Sequence, residues 1–173
     1  MISSLSAAWS RVFGVLGRLS MYRLVLFALS ALAVITLAVS LAGGGSGAPL
    51  EFVVTLAVLA VSIALVDAVA QRIVRRPWRI ESALITALIL VFVLRPTLEP
   101  LPLLGVAVAG ALASASKYVL AWQGRHIFNP AAVGATALTI ISIWAPDLGS
   151  AAWWVGNPLL ALPVLLLGLV VLV

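Results

Sequence analysis

The segment with the clearest chemical pattern covers residues 124–136. Its second and third residues are the basic pair Arg125 and His126, and Asn129 then precedes Pro130. Asn is a favoured N-cap, and Pro suits the first position of a helix because it has no N–H to satisfy. The pattern therefore predicts a helix that begins at Pro130 and has an accessible N-terminus.

A helix N-terminus carries a partial positive charge and free N–H groups, which favour phosphates and other anions. Lys117, about two turns before the basic pair, either extends to the membrane surface or joins this site. The predicted cofactor-binding residues are Lys117, Arg125, His126 and Asn129. A capped transmembrane helix with flanking charges explains the same residues without a ligand, and physical reasoning alone favours that interpretation.

Three stretches of the chain resemble a known family: residues 82–90, Lys117 and residues 124–134. The family contains related membrane proteins of the Rnf electron-transport complex and of the sodium-translocating NADH:quinone reductase (Nqr). The similarity covers most of residues 72–145 and is most specific at residues 128–131, Phe-Asn-Pro-Ala. The resemblance implies a membrane subunit that carries FMN or another flavin and passes electrons within an ion-translocating complex. Its partners would be other membrane subunits, and it would not be catalytic alone.

The same resemblance implies a scaffold distantly similar to urea transporters and built from two related halves, of which this chain resembles the first. Family members attach FMN to a threonine in a later Ser-Gly-Ala-Thr motif, which follows an acidic residue. Here residues 134–136 reproduce only Gly-Ala-Thr, with Val133 in place of the Ser and Pro130 in place of the acid. We therefore interpret Thr136 as a small residue that packs a helix interface, not as an attachment site. A transporter or channel subunit and an inactive fragment remain as alternatives.

Composition indicates that these residues belong to a membrane protein. Hydrophobic residues make up 64% of the 173 residues and charged residues only 9%. The apolar runs are continuous and approach the ~20 residues that a helix needs to cross a bilayer, which favours helices over a barrel. With no cysteine and one histidine, the chain lacks the ligands for an iron-sulfur cluster, a bis-histidine haem or structural zinc.

The predicted fold is all-α, a polytopic helical membrane protein with about six transmembrane segments. Residues 1–21 are predicted to form a basic amphipathic segment, and residues 22–173 the transmembrane domain. The predicted spans are residues 22–42, 50–70, 82–94, 103–122, 130–144 and 153–173. The third is short or re-entrant. The fourth carries small residues that allow another helix to approach closely.

The arginines lie mainly on one side of this arrangement, before the first span and in the loops after the second and fourth spans. Only Arg95 falls on the other side. Because basic loops remain in the cytoplasm, the sequence predicts a multi-pass protein of the plasma (inner) membrane with a cytoplasmic N-terminus. The net charge of +5 then reflects topology, and we predict no nucleic-acid partner.

Asp67 is an ionisable residue within the second predicted span, about one turn from its cytoplasmic end. Burial of such a group in a membrane costs at least ~2.5 kcal/mol, so it is a functional candidate. We predict that Arg72, Arg75 or Lys117 neutralises it in a structural pair. Ion or proton passage is the second interpretation.

Overall fold

The computed structural model describes residues 20–43, 48–74, 80–122, 125–152, 154 and 158–172, which are almost entirely helical. Most of the predicted N-terminal segment therefore lies outside the described residues. The helices are α1 Met21–Leu41, α2 Pro49–Val74, α3 Ile80–Val93, α4 Pro100–Val119, α5 Pro130–Ile141 and α6 Pro158–Leu172. Two short antiparallel strands, β1 Ala121–Trp122 and β2 Arg125–His126, connect α4 to α5, and a 3-10 turn, Pro146–Leu148, follows α5.

Three of these helices, α1, α2 and α4, are long and apolar enough to cross a membrane. Large apolar side chains such as Phe27, Val34 and Leu65 are 61%, 67% and 63% exposed on their surfaces. In water this exposure would be unfavourable, whereas lipid is a suitable solvent for it. The chain thus has the features of a helical membrane protein.

The other three helices are shorter, with 14 residues in α3, 12 in α5 and 15 in α6. At ~1.5 Å per residue they extend roughly 18–23 Å, less than the ~30 Å hydrocarbon core. We expected this only of α3. The helix α5 ends at Ile141, three residues earlier than expected, and Pro146 follows. A proline disfavours helical backbone in the residue before it and cannot extend the helix.

The fourth helix is displaced by three residues from its predicted bounds, since α4 begins at Pro100 and ends at Val119. Pro100 and Pro102 lie in its first turn, where a missing N–H costs nothing. At the other end, Ala121 and Trp122 leave the helix and pair with β2. The hairpin brings the chain directly to the start of α5.

The helices alternate in direction, so that each end of the bundle combines helix starts with helix ends. At one end, Arg23 Nε lies 3.3 Å from Glu81 Oε1, which joins the starts of α1 and α3. The ends of α2 and α4 meet through Gln71 Nε2, which donates to the Tyr118 hydroxyl at 3.1 Å. The paired strands β1 and β2 bring the end of α4 beside the start of α5, and Asn129 at that start lies on one surface with Tyr22 and Ser82. The contact is therefore at the same end, which we call the Arg23 end.

The opposite end, which we call the Arg95 end, is closed by contacts between loops and helices. The hydroxyl of Thr55 in α2 accepts from the Thr97 N–H at 3.0 Å, and Leu94 forms a β-bridge with Ala151. The described charged residues here are Glu51, Arg95, Glu99 and Asp147. The Arg23 end is more basic, as the sequence pattern predicted.

The helix α4 lies at the centre of the bundle, between α2 and α5. A Cβ atom added at Gly110 would collide with the Ser62 hydroxyl of α2, and one added at Gly134 of α5 would lie 2.8 Å from the Ala113 methyl group. Both helices therefore approach the small residues of α4 closely. The predicted small-residue face of this helix is confirmed.

Candidate functional site

The predicted helix start at Asn129 and Pro130 is confirmed. Asn129 has extended backbone (φ −63°, ψ 119°), and its side-chain oxygen accepts from the Ala131 N–H at 3.0 Å. Pro130 occupies the first helical position and is buried. The local sequence thus fixes the N-terminus of α5 by a side-chain cap and by a proline that needs no acceptor.

This N-terminus is more fully satisfied than the sequence pattern implied. Pro130 has no N–H, the Ala131 N–H is capped, and the Val133 N–H donates to the Asn129 carbonyl at 3.1 Å. The Ala132 N–H is the donor in this turn without an acceptor among the described residues. The helix end therefore offers an anion one backbone donor together with its dipole.

A groove of about 410 Å³ lies beside the α5 N-terminus at the Arg23 end. The starts of α1, α3 and α5 and residues 126–129 form its walls. It is lined by Tyr22, Ser82, Ile85, Thr86, Ile89, His126, Ile127, Phe128, Asn129 and Pro130. Its volume lies within the range of roughly 300–1,000 Å³ that is typical of small-molecule sites.

The groove combines apolar walls with a few polar groups. Ile85, Ile89 and Phe128 provide apolar surface. The hydroxyl of Thr86 is engaged, because it donates to the Ser82 carbonyl at 2.8 Å. This arrangement suits a planar ring that rests on the apolar wall and hydrogen-bonds at its edge.

Four groups in the groove remain available for a ligand: the hydroxyls of Tyr22 and Ser82, the imidazole of His126 and the side-chain amide nitrogen of Asn129. None has a hydrogen-bond partner among the described residues, and the His126 side chain is exposed. Serine and tyrosine hydroxyls both donate and accept, and a neutral imidazole donates at one ring nitrogen and accepts at the other. They can therefore recognise the polar edge of a ring or an anionic substituent.

The structure brings two of the predicted cofactor-binding residues, His126 and Asn129, into this groove. Arg125 lies in β2, where it pairs with Trp122, but its side chain is outside the described parts of the chain. Lys117 is not among the residues that line the groove. Thr136 is exposed on α5, so the interpretation that it packs an interface was wrong.

Lys117 lies instead in a buried polar cluster between α2 and α4. Its Nζ atom is 3.1 Å from Asp67 Oδ2, and the two side chains are only 8% and 1% exposed. A structural pair was predicted for Asp67 with Arg72, Arg75 or Lys117, and the structure shows Lys117 in this role; Arg75 lies outside the described residues. An isolated charge would be very unfavourable at this burial, so the pairing accounts for the presence of both residues.

Three neutral side chains complete this cluster: Gln71, Ser114 and Tyr118. The hydroxyls of Ser114 and Tyr118 both donate to Asp67 Oδ1, the second at 3.2 Å. Gln71 in turn donates to Tyr118, and its own carbonyl oxygen is buried without a hydrogen-bond donor. The carboxylate of Asp67 thus accepts three hydrogen bonds from α4.

Sequence reasoning had missed these three residues, although their spacing contains the signal. Ser114 precedes Lys117 by three residues and Tyr118 by four, so all three share one face of α4. Asp67 and Gln71 are four residues apart on α2. A polar stripe on each of two apolar helices indicates that the stripes face one another.

A second depression, of about 440 Å³, lies at the Arg95 end, where α3 and α5 end and α4 begins. Glu51, Arg95, Thr97 and Glu99 contribute polar groups, and Leu94 and Leu138 contribute apolar ones. The two depressions therefore lie at opposite ends of the short helices α3 and α5. Buried residues of these helices, including Leu90 and Ala135, lie between them.

No protein-family model, curated protein or solved structure matches this chain. The site must therefore be interpreted from its own residues. Two arrangements are prominent: an amphipathic groove at a capped helix N-terminus, and a buried ion pair with a hydrogen-bonded extension.

Proposed function

We propose that this chain is a membrane subunit of a flavin-dependent, ion-translocating electron-transport complex of the Rnf and sodium-translocating NADH:quinone reductase type. The observation that carries the proposal is the groove at the α5 N-terminus. The residues of the family-like segment, from His126 to Pro130, form one wall of it. In this proposal the chain acts with other membrane subunits and is not catalytic alone.

The groove fits a flavin in both size and chemistry. The tricyclic ring of a flavin has apolar faces and a polar edge, and the groove offers Ile85, Ile89 and Phe128 beside the donors of Tyr22 and Ser82. A phosphate group would be held by His126 and the Ala132 N–H at the positive end of the α5 dipole. When bound, a flavin supplies one- and two-electron transfer, which the side chains of this protein do not.

The proposal also includes a topology. All six helices would belong to the membrane domain. The helices α3 and α5 are shorter than the hydrocarbon core, and the loops at their ends would occupy the rest of its thickness. The scaffold would be half of a urea-transporter-like arrangement, and the basic Arg23 end would face the cytoplasm of a plasma (inner) membrane. The charge difference between the two ends supports this orientation. The groove would then open at the cytoplasmic surface.

A flavin assay tests the proposal. The chain is purified together with the membrane proteins that co-purify with it, and flavin is measured by absorbance and by fluorescence on a denaturing gel. We expect stoichiometric flavin that is released on denaturation. Fluorescence that remains with the denatured chain would instead indicate a covalent attachment, which Thr136→Ala would localise. Absence of flavin from the complete assembly would contradict the proposal.

Two matched substitutions locate the flavin. Ser82→Ala removes a donor from the groove, whereas Ser150→Ala removes the same group from the depression at the Arg95 end. A hydrogen bond to a charged or polar ligand contributes roughly 1–3 kcal/mol, and ~1.4 kcal/mol is tenfold in affinity. We expect Ser82→Ala to weaken flavin binding about tenfold and Ser150→Ala to leave it unchanged.

A transporter or channel subunit is the second candidate, and one observation favours it. The two depressions lie at opposite ends of α3 and α5, as the vestibules of a closed pathway would. The buried Leu90, which is fully inaccessible, would lie in the closed section. Solute flux into vesicles that contain the flavin-free chain alone, increased by Leu90→Ala, would support this function over electron transport.

A further inference from the structure

We propose that Lys117 is a protonation site that exchanges its proton with water that reaches the cluster from the Arg23 end, beside Gln71 and Tyr118. The inference is independent of the flavin proposal, because it uses the α2–α4 interface and no residue of the groove. An ionisable residue within an apolar helix is a functional candidate by default. The arrangement of its neighbours indicates which group exchanges the proton and by which route.

The geometry assigns the exchangeable proton to Lys117 and not to Asp67. Ser114 and Tyr118 donate to Asp67 Oδ1 independently of Lys117, which contacts Oδ2. When the ammonium of Lys117 releases one proton to water, it becomes a neutral amine, and Asp67 keeps both hydroxyl donors as a carboxylate. Uptake of one proton restores the ion pair and its zero net charge.

The route is indicated by the Gln71 side chain, which lies one turn beyond Asp67 on α2. Its Nε2 group donates to Tyr118, so its carbonyl oxygen remains as a buried acceptor without a donor among the described residues. Such an acceptor is commonly satisfied by a buried water molecule. Arg72, the next residue, is exposed. A water at Gln71 would therefore connect the cluster to solvent at the Arg23 end.

The opposite direction along α2 is closed to protons. Ile63 and Leu59 follow Asp67 towards the Arg95 end, and both are fully inaccessible. Gly110 of α4 packs against Ile63 and Ser62, with no room for a Cβ atom and therefore none for water. The site consequently opens to one side of the membrane only.

The other charged groups near this interface do not substitute for the pair. The helix α5, which packs on the other side of α4, has no ionisable residue, and Glu81 of α3 pairs with Arg23. His126 lies on β2 beside the end of α4, and its side chain is exposed. Lys117 and Asp67 are thus the charged pair that is buried among the described residues of the bundle, and Asp67 connects Lys117 to Tyr118.

Lys117 is the single lysine of the chain, so lysine labelled with ¹⁵N at Nζ gives one side-chain signal by NMR. The full chain is placed in lipid nanodiscs, and the signal is followed as the pH is varied. We expect both the ammonium and the amine form within the pH range in which the protein remains folded. An ammonium signal at every such pH would overturn the proposal and leave a permanent structural pair.

The route is tested by the rate at which the Nζ protons exchange with water. We expect Gln71→Leu and Tyr118→Phe to slow this exchange, each by about tenfold for a loss of ~1.4 kcal/mol in the exchange pathway. Thr55→Val, on the same helix beyond Leu59, is the matched control and should leave the rate unchanged. Equal rates in all three variants would overturn the assigned route, and a slower rate in Thr55→Val alone would place access at the other end.

Discussion

Gly134 of α5 lies so close to Ala113 of α4 that a Cβ atom at position 134 would be 2.8 Å from the Ala113 methyl group. The same Cβ atom would also meet the carbonyl oxygen of Ala109. Real Cβ atoms do not approach so closely, so any side chain here must push the two helices apart. Because α5 forms one wall of the groove, this contact fixes the position of the candidate site.

We expect Gly134→Ala to destabilise the protein although alanine favours helix. Overpacking a tight contact costs roughly 1–3 kcal/mol, which outweighs the ~1 kcal/mol that alanine gains over glycine in a helix. Gly168→Ala is the control, because a Cβ atom at Gly168 of α6 has no neighbour within 4 Å. Thermal unfolding in detergent should show a lower midpoint for the first variant and an equal or higher one for the second. Equal midpoints would contradict the close packing of α4 and α5.

The buried and exposed ion pairs of the bundle should differ strongly in their contribution to stability. Lys117→Met leaves Asp67 as an unpaired buried charge, which costs roughly 3–5 kcal/mol. Arg23→Met removes a partner of Glu81 whose pair is 62% and 39% exposed, and such pairs contribute ~0–1 kcal/mol. Unfolding midpoints should therefore fall clearly for Lys117→Met alone.

A double variant separates lost pairing from lost packing. In Lys117→Met with Asp67→Asn, neither side chain is charged, so we expect the stability to exceed that of Lys117→Met and approach that of the unmodified protein. If the double variant is less stable than Lys117→Met, then the contribution of Asp67 comes from its hydroxyl partners and not from its charge. The same unfolding measurement distinguishes these results.

The stability of the protein should depend on whether residue 129 has a side-chain oxygen that caps α5. Asn129→Ala removes the acceptor of the Ala131 N–H and should cost about 1 kcal/mol, whereas Asn129→Asp retains an acceptor oxygen and should cost little. For a protein of this size, ~1 kcal/mol corresponds to roughly 2–4 °C in the unfolding midpoint. A loss of stability that is equal in both variants would show that the cap hydrogen bond is not the cause.

Local features of this fold were predictable from the sequence, because they depend on neighbouring residues. The start of α5 follows from Asn129 and Pro130 alone, and the close approach of α5 to α4 follows from the small residues of both helices. The partner of Asp67 was predicted as one of three cations, among which only the fold selects Lys117. The local sequence thus determines where α5 begins, and the apolar surroundings of Asp67 determine that it needs a cationic partner.

The groove was not predictable in the same way, since residues far apart in the sequence form it. Tyr22 and Ser82 come to His126 only because the starts of α1, α3 and α5 share one end of the bundle. Lys117 was predicted to join Arg125 in one site because the two residues are close in the sequence. Side chains of a helix point in different directions, however, so closeness in sequence does not place them in the same site. Lys117 faces α2, and the hairpin carries the following residues away from it.

Cysteine labelling should place the two ends of the bundle on opposite sides of the membrane. The chain has no cysteine, so single substitutions at the exposed Ser20 and Ser150 provide matched probes at the Arg23 and Arg95 ends. In right-side-out membrane vesicles, an impermeant maleimide should modify Ser150→Cys at once and Ser20→Cys only after permeabilisation, because the basic end remains in the cytoplasm. The reverse order would invert the orientation. Modification of both from one side would show that the helices between them cross an even number of times, and the short helices α3 and α5 would not then both span the membrane.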